Sequence, residues 1–407
     1  MKILAIETSC DDTCVAIIEV SGDKNPCFRV LSNVISSQVE IHKKWGGVYP
    51  SLAKREHQNN LVPVLKEALD RAKILEKSKS VLNKKKTGVL EKILEREKFL
   101  LKKLIKFFNS YKKPIIDAIT VTIGPGLEPC LWAGINLAKS LSVSWKLPLI
   151  PVNHIEAHIF ANWIEVFGKN KNVKFPAICL VASGGHTQLI LMKKIKSYEI
   201  LGETRDDAAG ECLDKTARIL GIGYPGGPII AVKAEKFKTQ HQSEARCWTS
   251  SAPKQSFWCG ASNLKFQIKL PRPMLNQKNY DFSFSGLKTA VLYDFKKRST
   301  KIRRSKSYIQ EMCFEIQQAV IDVLIKKTKQ AAKDYKAKTI ILGGGVTANK
   351  ELRKQFAKAF LDESFELVFP EPSFSTDNAA MIGITAYFHF SEAKNWKEIA
   401  ANANQRI

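Results

Sequence analysis

Residues 2–20 read KILAIETSCDDTCVAIIEV, two apolar runs joined by a short acidic turn. Runs of this kind around a turn are typical of a β-hairpin. Residues 176–192 read PAICLVASGGHTQLILM and have the same form around a glycine turn. Two such hairpins about 175 residues apart indicate an internal duplication, so we predict two lobes that each open on a hairpin.

Strand-like and helical segments alternate after each hairpin. Apolar runs at 119–126 and 339–346 end in glycines and lead into helical stretches at 131–142 and 349–360. This alternation predicts an α/β chain. With 407 residues and 44% hydrophobic content, the chain is long enough for two cores, which agrees with two lobes.

The net charge is the strongest signal in the composition. Lys and Arg number 64 against 39 Asp and Glu, a formal charge of +25, and such a field favours a polyanionic partner such as nucleic acid. Between 73 and 113, fourteen Lys or Arg stand against four Glu. Apolar residues at helical spacing predict a basic amphipathic helix or helical hairpin there, which either contacts RNA or packs one stripe on the body. That stripe is Leu90, Leu94, Leu101, Ile105 and Phe108.

The start of the chain and its cysteines bear on the compartment. MKILAIET enters a strand-like run directly, without the pattern of a signal or transit peptide. No apolar run approaches the roughly 18 residues of a membrane span. The nine cysteines include no CxxC pair, which argues against a disulfide framework. We therefore expect a cytoplasmic protein that does not enter a membrane.

The segment NHIEAHIFANW at 153–163 places His154 and His158 four residues apart. On a helix they would lie about 40° apart on one face, as two ligands of one metal ion require. A zincin protease carries a glutamate directly after its first histidine, but Ile155 stands there, and Glu156 would point away from the metal. Taken alone, the two histidines are equally compatible with a polar helix face without a ligand.

Two aspartates are further candidates. Asp11, in the tip of the first hairpin, could be a general base or a metal ligand, although aspartates in turns also serve local hydrogen bonding. Asp377 precedes a predicted helix, where an aspartate usually caps the helix. As a third ligand it would complete a set of two imidazoles and one carboxylate.

Three glycine-rich turns follow strands: GPGLEPC at 124–130, SGGHT at 183–187 and GGGVTAN at 343–349. Glycines let backbone amides approach an anion closely, and GGGVTAN also opens a helix, which suits a phosphate or nucleotide. The P-loop pattern GxxxxGKS/T is missing from the sequence. Phosphates would therefore be held by backbone dipoles and a metal.

Residues 239–263 interrupt the alternation with Ser, Gln, Trp and two cysteines. His241, Cys247 and Cys259 could supply three zinc ligands. A fourth ligand is missing and the spacing is irregular, so a surface loop is the favoured interpretation.

Taken together, the motifs resemble those of the tRNA threonylcarbamoyladenosine transferases, most closely the bacterial TsaD type. The resemblance runs in order along nearly the whole chain. About 75–113 and about 239–263 fall outside it, and Ala157 stands where the family often has glycine. The matching motifs are ETSCDDT (7–13), GGVYPSLAKREH (46–57), TIGPGL (122–127), NHIEAH (153–158), LVASGGHTQL (180–189), DDAAGECLDKTARILGIGYPGGP (206–228), FSFSGLKTAV (282–291), GGGVTAN (343–349) and STDNAAMIG (375–383).

The resemblance implies the actin/Hsp70/sugar-kinase (ASKHA) fold, an α/β architecture of two ribonuclease-H-like lobes with a cleft between them. Lobe I would comprise residues 1–174, with the basic helical insertion at about 75–113, and would be completed by 378–407. Lobe II would comprise 175–377, with the second insertion at about 239–263.

The resemblance also implies an activity. Members of the family transfer a threonylcarbamoyl group from threonylcarbamoyl-AMP to N6 of the adenosine just 3′ of the anticodon, in tRNAs that read codons beginning with adenine. They would use one divalent metal ion per subunit, with iron(II) the first choice and zinc the alternative, since two histidines and one carboxylate suit both. The implied partners are tRNA and the bacterial companion proteins, a TsaB-like paralogue and a TsaE-like ATPase.

Site residues follow from the same motifs. His154, His158 and Asp377 match the metal ligands, and Asp11 matches the aspartate proposed for catalysis. No peptidase glutamate is required, because the metal would hold an activated acyl donor. The residues that match those holding the adenylate are Val181, Ala182, Ser183, Gly184, Gly185, Asp214, Gly227 and Asn349.

Two other classes of protein stay open at this point. An ATP-driven member of the same superfamily, a sugar kinase or a chaperone ATPase, gives no reason for His154, His158 and Asp377 to occur together. A non-enzymatic paralogue that scaffolds a modification complex predicts eroded metal and adenylate motifs, whereas the motifs here are intact.

Overall fold

Two five-stranded sheets form the framework of the computed structural model. The described residues are 1–22, 26–78, 81–164, 173–245, 265–361 and 363–407, with only the backbone described for 241–245. The first sheet contains β1 (Lys2–Glu7), β2 (Asp12–Ser21), β3 (Cys27–Ser37), β4 (Ala118–Gly124) and β5 (Leu149–Asn153). Its strand order is β3-β2-β1-β4-β5.

The second sheet repeats the topology of the first. It contains β6 (Ala177–Ala182), β7 (Thr187–Lys194), β8 (Ser197–Glu203), β9 (Thr339–Gly343) and β10 (Glu366–Val368). Its order is β8-β7-β6-β9-β10. In each sheet the first three strands are antiparallel neighbours, and the last two run parallel to the first. The shared order and directions confirm the duplication predicted from the two hairpins.

Helices cover both faces of the sheets, which is why the central strands β1 and β6 are apolar and buried along nearly their whole length. Helices of the first half are α1 (Val39–Lys43), α2 (Pro50–Arg71), α3 (Lys84–Ile93), α4 (Lys98–Ser110), α5 (Glu128–Trp145) and α6 (His154–Phe160). Those of the second half are α7 (Ala209–Ile219), α8 (Gly226–Ala245), α9 (Ser285–Lys297), α10 (Thr300–Arg303), α11 (Lys306–Asp334), α12 (Lys350–Ala359) and α13 (Ala379–Phe388).

The end of the chain returns to the first sheet. Helix α13 packs on β1 and β2 and also contacts α6. This packing supports our division of the chain into lobe I (1–174 with 378–407) and lobe II (175–377), which stays a proposal. None of the helices in the described ranges combines the length and the apolar character that crossing a bilayer needs.

The basic segment at about 75–113 forms α3 and α4, which pack on α5 and α2. Its buried apolar residues are Leu90, Leu94, Leu100, Leu104, Phe107 and Phe108. The predicted stripe is wrong at Ile105, which is only half-buried, whereas Leu101 is half-buried but packs on the core. The reason is the break between the two helices at 94–97, which restarts the helical phase in α4.

Little of the second insertion lies in the described part of the chain. Helix α8 continues through Ala245. Cys247, Cys259 and the side chain of His241 lie outside the described residues, so the three-ligand zinc hypothesis is untested.

Candidate metal centre

The two histidines lie on one face of α6 because of where that helix begins. Strand β5 ends at Asn153, whose side-chain Oδ1 accepts hydrogen bonds from the backbone N–H groups of Ile155 (2.8 Å) and Glu156 (3.1 Å). This N-cap starts the helix at His154 and places His158 one turn later. The two imidazole rings have centroids 4.6 Å apart, and both are buried.

Asp377 reaches the histidines from the loop before α13. Asn378, rather than Asp377, caps that helix, since its Oδ1 accepts a hydrogen bond from the Met381 N–H (3.0 Å). The Asp377 carboxylate is therefore free to face the histidines. Its Oδ1 lies 3.3 Å from Nε2 of His158 and 3.6 Å from Nε2 of His154.

The donor atoms of this cluster have the spacing that one bound ion requires. All three ligand atoms lie within 4.8 Å of one another. Donors about 2.1 Å from a shared tetrahedral ion lie about 3.4 Å apart, close to the two distances to Asp377. Both ring nitrogens of His158 are buried; Nδ1 has no hydrogen-bond partner among the described residues, and Nε2 faces the Asp377 carboxylate without a well-aligned hydrogen bond. A buried imidazole without a partner is costly unless a ligand supplies one, so His154, His158 and Asp377 fit a divalent metal.

A second carboxylate orients the first histidine. Oε2 of Glu7 lies 3.0 Å from Nδ1 of His154 and accepts a hydrogen bond from the Thr122 hydroxyl (2.6 Å). Metal-binding histidines usually donate their other N–H to such a carboxylate, which fixes the ring and its tautomer. The sequence reasoning missed Glu7, although it ends the buried strand β1 inside the ETSCDDT motif.

The charges around the cluster favour a cation. Burial alone would lower the pKa of His154, but the charges of Glu7 and Asp377 raise it to about 9. Burial likewise raises the pKa of Asp377, yet the charge of His154 outweighs it and holds that pKa well below its usual value. The pKa of His158 is lowered by burial, so this ring stays neutral, whereas a bound metal ion would have to displace the proton that His154 otherwise carries.

Glu156 points away from the cluster, as the sequence predicted. Its Oε1 accepts hydrogen bonds from the Tyr198 hydroxyl (2.7 Å) and from Nε2 of His389 (2.9 Å). These partners lie on the side of α6 opposite to the metal ligands. Glu156 is therefore not placed to act as the glutamate base of a peptidase.

We expect Glu7→Gln to weaken metal binding by about 10- to 100-fold, the usual effect of removing a carboxylate behind a histidine ligand. The measurement is titration of metal-free protein with zinc against a chromogenic chelator. Glu156→Gln is the matched control, since it alters a buried carboxylate on the other side of α6, and its affinity should equal that of the wild type. Equal affinities for all three proteins would show that Glu7 does not support His154.

Asp11 lies in the turn between β1 and β2, close to the cluster. Burial raises its pKa, and the charge of Asp377 raises it further. Asp12 beside it has a pKa raised to about 7, first by burial and then by the charges of Asp11, Asp377 and Glu7. Oδ1 of Asp12 is buried and has no hydrogen-bond partner in the described part of the chain. The structure thus adds Asp12 as a second carboxylate with the properties of a proton acceptor.

The SGGHT turn, at the tip of the second hairpin, lies near the His154, His158 and Asp377 cluster. Val181 and Ala182 are fully buried at the end of β6, so their backbone is what they can offer a ligand. Gly184 and Gly185 are exposed, and a Cβ on either would meet nothing within 4 Å. The O of Ser183 accepts a hydrogen bond from the N–H of α7 residue Gly210 (3.2 Å), which fixes the turn against that helix.

His186 in this turn faces the metal ligands and was not predicted as a site residue. Burial lowers its pKa to about 4, and the charges of His154 and His158 contribute to that shift. It therefore faces the cluster as a neutral imidazole. The signal available in the sequence was its position in the glycine turn.

The third glycine turn, GGGVTAN at 343–349, packs against α6 and the end of β6. A Cβ on Gly343 would lie 2.6 Å from the O of His158, and one on Gly344 would lie 2.4 Å from the O of Ala182. Gly344 also has a φ of +88°, which favours glycine. Only glycine therefore allows the end of β9 to lie against both α6 and the end of β6.

Asp214 and Gly227 lie on the second-lobe side of Asp11. Oδ1 of Asp214 accepts a hydrogen bond from the Gly226 N–H (2.7 Å) at the start of α8, and Gly227 follows in the same turn. Burial raises the pKa of Asp214, and the charge of Asp11 adds to that shift. Burial also raises the pKa of Tyr224, and the charges of Asp11 and Asp214 raise it further. The two carboxylates therefore lie near the same phenol, one from each lobe.

Asn349 is a predicted site residue whose side-chain amide uses both its oxygen and its nitrogen in hydrogen bonds within the protein. Its Oδ1 caps α12 by accepting hydrogen bonds from the N–H groups of Glu351 (2.9 Å) and Leu352 (3.1 Å). Its Nδ2 donates to Oε1 of Gln317 (2.8 Å). The structure thus gives Asn349 a structural role, and its contact with an adenylate stays a prediction.

These residues define a class of protein: an α/β chain of two lobes with a His-His-Asp cluster between its duplicated halves. The profile of the TsaD family, tRNA N6-adenosine threonylcarbamoyltransferase, matches residues 29–81 and 94–384. Proteins named tRNA N6-adenosine threonylcarbamoyltransferase are similar over nearly their whole length. The one from Persephonella marina is 39% identical over all of this chain and 95% of its own length, and the one from Thermosipho africanus is 40% identical over 95% and 94%.

The chain therefore belongs to the TsaD family, which confirms the resemblance seen in the motifs, and it has the ASKHA fold. Among solved structures, component A of (R)-2-hydroxyglutaryl-CoA dehydratase from Acidaminococcus fermentans is 12% identical, with a TM-score of 0.45 over 96% of this chain and 99% of that one. That likeness is weak, and the fold assignment rests on the family and on the two matching sheets.

Proposed function

We propose that this protein transfers a threonylcarbamoyl group from threonylcarbamoyl-AMP to N6 of the adenosine just 3′ of the anticodon, in tRNAs that read codons beginning with adenine. The products are N6-threonylcarbamoyladenosine in the tRNA and AMP. The observation that carries the proposal is the His154, His158 and Asp377 cluster beside Asp11, in a chain whose full-length relatives are named for this transfer.

The metal ion that the cluster would hold is iron(II) or zinc, with iron(II) as our first choice. When bound, it supplies a Lewis acid that polarises the carbamoyl oxygen of the donor and orients it. Glu7 would keep the ring of His154 in position for the ion.

Asp11 is proposed to accept the proton that N6 loses. The exocyclic amine of adenine is a poor nucleophile, so proton removal and a good leaving group are both needed. As N6 attacks the carbamoyl carbon, the bond from that carbon to the phosphate oxygen breaks and AMP leaves. The pKa of Asp11, raised by burial, makes it a better proton acceptor than an ordinary exposed aspartate.

The glycine turns are proposed to hold the adenylate. The exposed backbone of Gly184 and Gly185 is open to an anion, and its N–H dipoles would stabilise the phosphate as it takes up charge. Ser183, Asp214 and Gly227 are proposed to contact the nucleoside. We propose that Val181, Ala182 and Asn349 contact the adenylate through their backbone atoms.

The basic helices α3 and α4 are proposed as part of the tRNA surface. Glu97, only 2% exposed at the start of α4, forms an ion pair with Nζ of Lys54 (3.7 Å) and accepts a hydrogen bond from Nδ2 of Asn136 (3.1 Å). Burial raises the pKa of the nearby Cys130 to about 12, with Asp11 adding to the shift and Lys54 opposing it. The backbone O of Cys130 accepts a hydrogen bond from the hydroxyl of Thr8 (2.9 Å), in the same turn as Asp11. The insertion is thus anchored near the reaction site. The exposed basic side chains of α3, α4 and the turn between them are Lys84, Lys85, Lys92, Arg96, Lys98, Lys102 and Lys106; Glu91, Glu95 and Phe99 are exposed beside them.

Charge reversal on α4 tests this surface. Lys98→Glu with Lys102→Glu should weaken tRNA binding by about tenfold at low salt, and by less at high salt, because fewer counterions are released. Filter binding at several salt concentrations measures the effect. Lys301→Glu with Lys306→Glu, on exposed sites of the second lobe, is the control and should bind like the wild type. Equal loss in both double variants would mean that only net charge matters.

The proposed partners are tRNA, a TsaB-like paralogue and a TsaE-like ATPase, and a cytoplasmic location follows from the tRNA substrate. A sugar kinase would leave the His-His-Asp cluster unexplained, and a scaffold would not need to keep it. The experiment is incubation of the protein with threonylcarbamoyl-AMP and unmodified tRNA, with and without the companions, followed by nucleoside mass spectrometry. Modified adenosine supports the proposal, and its absence with intact donor contradicts it.

A further inference from the structure

An exposed pair of aromatic rings lies on the segment between α1 and α2. Trp45 is 66% exposed and Tyr49 is 55% exposed. Their ring centroids are 5.8 Å apart and the ring planes are inclined by 26°, so the rings are stacked. Exposed aromatic surface of this size is unfavourable in water and commonly marks a binding site. The two rings offer a flat apolar surface that the described part of the chain leaves largely open.

A short path of hydrogen bonds joins this pair to Asp11. The N–H of Gln38 donates to the backbone O of Asp11 (3.2 Å), and Oε1 of Gln38 lies 3.1 Å from Nε2 of His42. Nδ1 of His42 accepts from the N–H of Tyr49 (3.3 Å), while the N–H of Trp45 donates to the His42 backbone O (2.9 Å). Because His42 is fully buried, the aromatic pair is held in a fixed position relative to Asp11.

Positive charge surrounds the pair. Lys43 and Lys44 immediately precede Trp45 and are exposed, although Lys43 also pairs with Glu40 at 3.5 Å. From the second lobe, the guanidinium of Arg218 donates to the backbone O of the glycine that follows Trp45. Two lysines and one arginine beside stacked rings match the chemistry of a single-stranded nucleic-acid site, in which cations bind phosphates and rings stack on bases.

We propose that Trp45 and Tyr49 form a stacking platform for a nucleobase of the anticodon loop that flanks the acceptor adenosine. This inference rests on the proposed function. An adenine whose N6 reaches Asp11 must leave the base stack of the loop, so a neighbouring base loses its stacking partner. A ring pair fixed to the same segment as Asp11 would replace that partner and hold the loop in register.

An RNA base suits this platform better than a protein partner does. Lys43, Lys44 and Arg218 supply cations for phosphates, and the stacked rings supply a flat surface for a base, so an RNA strand would use both features at once. If the variants below lost binding of a companion protein and kept binding of RNA, the assignment would be overturned.

The test uses the full-length protein and an anticodon stem-loop RNA carrying a fluorescent adenine analogue beside the acceptor. Stacking of that analogue on Trp45 quenches its fluorescence, which a merely structural role of Trp45 would not do. Trp45→Ala should abolish the quenching and weaken RNA binding by roughly 5- to 150-fold, the range for loss of one base–aromatic stack. Trp45→Phe should retain most of both, and Tyr49→Ala should behave like Trp45→Ala.

Separate readouts distinguish the possible failures. The KM for threonylcarbamoyl-AMP and the melting temperature should stay at wild-type values in every variant, since both rings are exposed. Wild-type quenching and affinity in Trp45→Ala and Tyr49→Ala would overturn the platform while leaving the transfer activity in place. Failure of the wild-type protein to bind the RNA at all would overturn the proposed function and the platform with it.

Discussion

Asp11→Ala is expected to lower the rate of threonylcarbamoyl transfer by about 10²- to 10⁴-fold, the usual contribution of a positioned general base. Binding of threonylcarbamoyl-AMP and the metal content should not change, because Asp11 is not one of the three clustered ligands. Single-turnover transfer with saturating tRNA measures the rate, and equilibrium binding of the donor measures its affinity.

Asp12→Asn is the companion variant for this experiment. Asp12 lies next to Asp11, and its pKa of about 7 would also suit a proton acceptor. If Asp11 is the base, Asp12→Asn retains much more activity than Asp11→Ala. A full transfer rate in Asp11→Ala together with normal donor binding would contradict the assignment, and loss of rate in Asp12→Asn alone would transfer the role to Asp12.

His158→Ala is expected to remove the bound ion and to lower transfer by more than about 100-fold. Loss of a supporting residue behind a ligand already costs about 10- to 100-fold, so loss of a ligand itself should cost more. His158 is fully buried, and replacement by alanine leaves only His154 and Asp377 facing the ion. Elemental analysis of the purified protein measures the metal content, and the transfer assay measures the rate.

His389→Ala provides the matched control for that variant. His389 also has a ring nitrogen close to a carboxylate, but its partners are Glu156 and Glu392, on the other side of α6. It should keep its full metal content. An unchanged metal content in His158→Ala would contradict the proposed ligand set.

Much of the fold could be predicted because both hairpins and the strands after them are continuous apolar runs. Residues 119–126 and 339–346 form β4 and β9, with boundaries a few residues shorter. Helix α2 begins at Pro50, a start that the pattern of apolar residues does not predict. Its first turns carry exposed polar residues and show no apolar stripe, and the start signal was a proline in the first helical position.

The candidate site was partly predictable. The spacing of His154 and His158 predicts that one helix places both rings on one face, but their role as ligands came from the resemblance. Asp377 is brought to them by the packing of α13 on the first sheet, so its role came from the resemblance rather than from spacing. Glu7 and His186 were missed because each acts as a single residue, and only the tertiary fold places them beside the cluster.

The direct test of the central claim is transfer by metal-depleted and reconstituted wild-type protein, in the presence of the companion proteins. Modified adenosine is measured by nucleoside mass spectrometry and AMP by chromatography in the same samples. We expect equal amounts of the two products from loaded protein, no modified adenosine after depletion, and recovery on addition of iron(II) or zinc. Modified adenosine formed at an unchanged rate by the depleted protein would contradict the central claim.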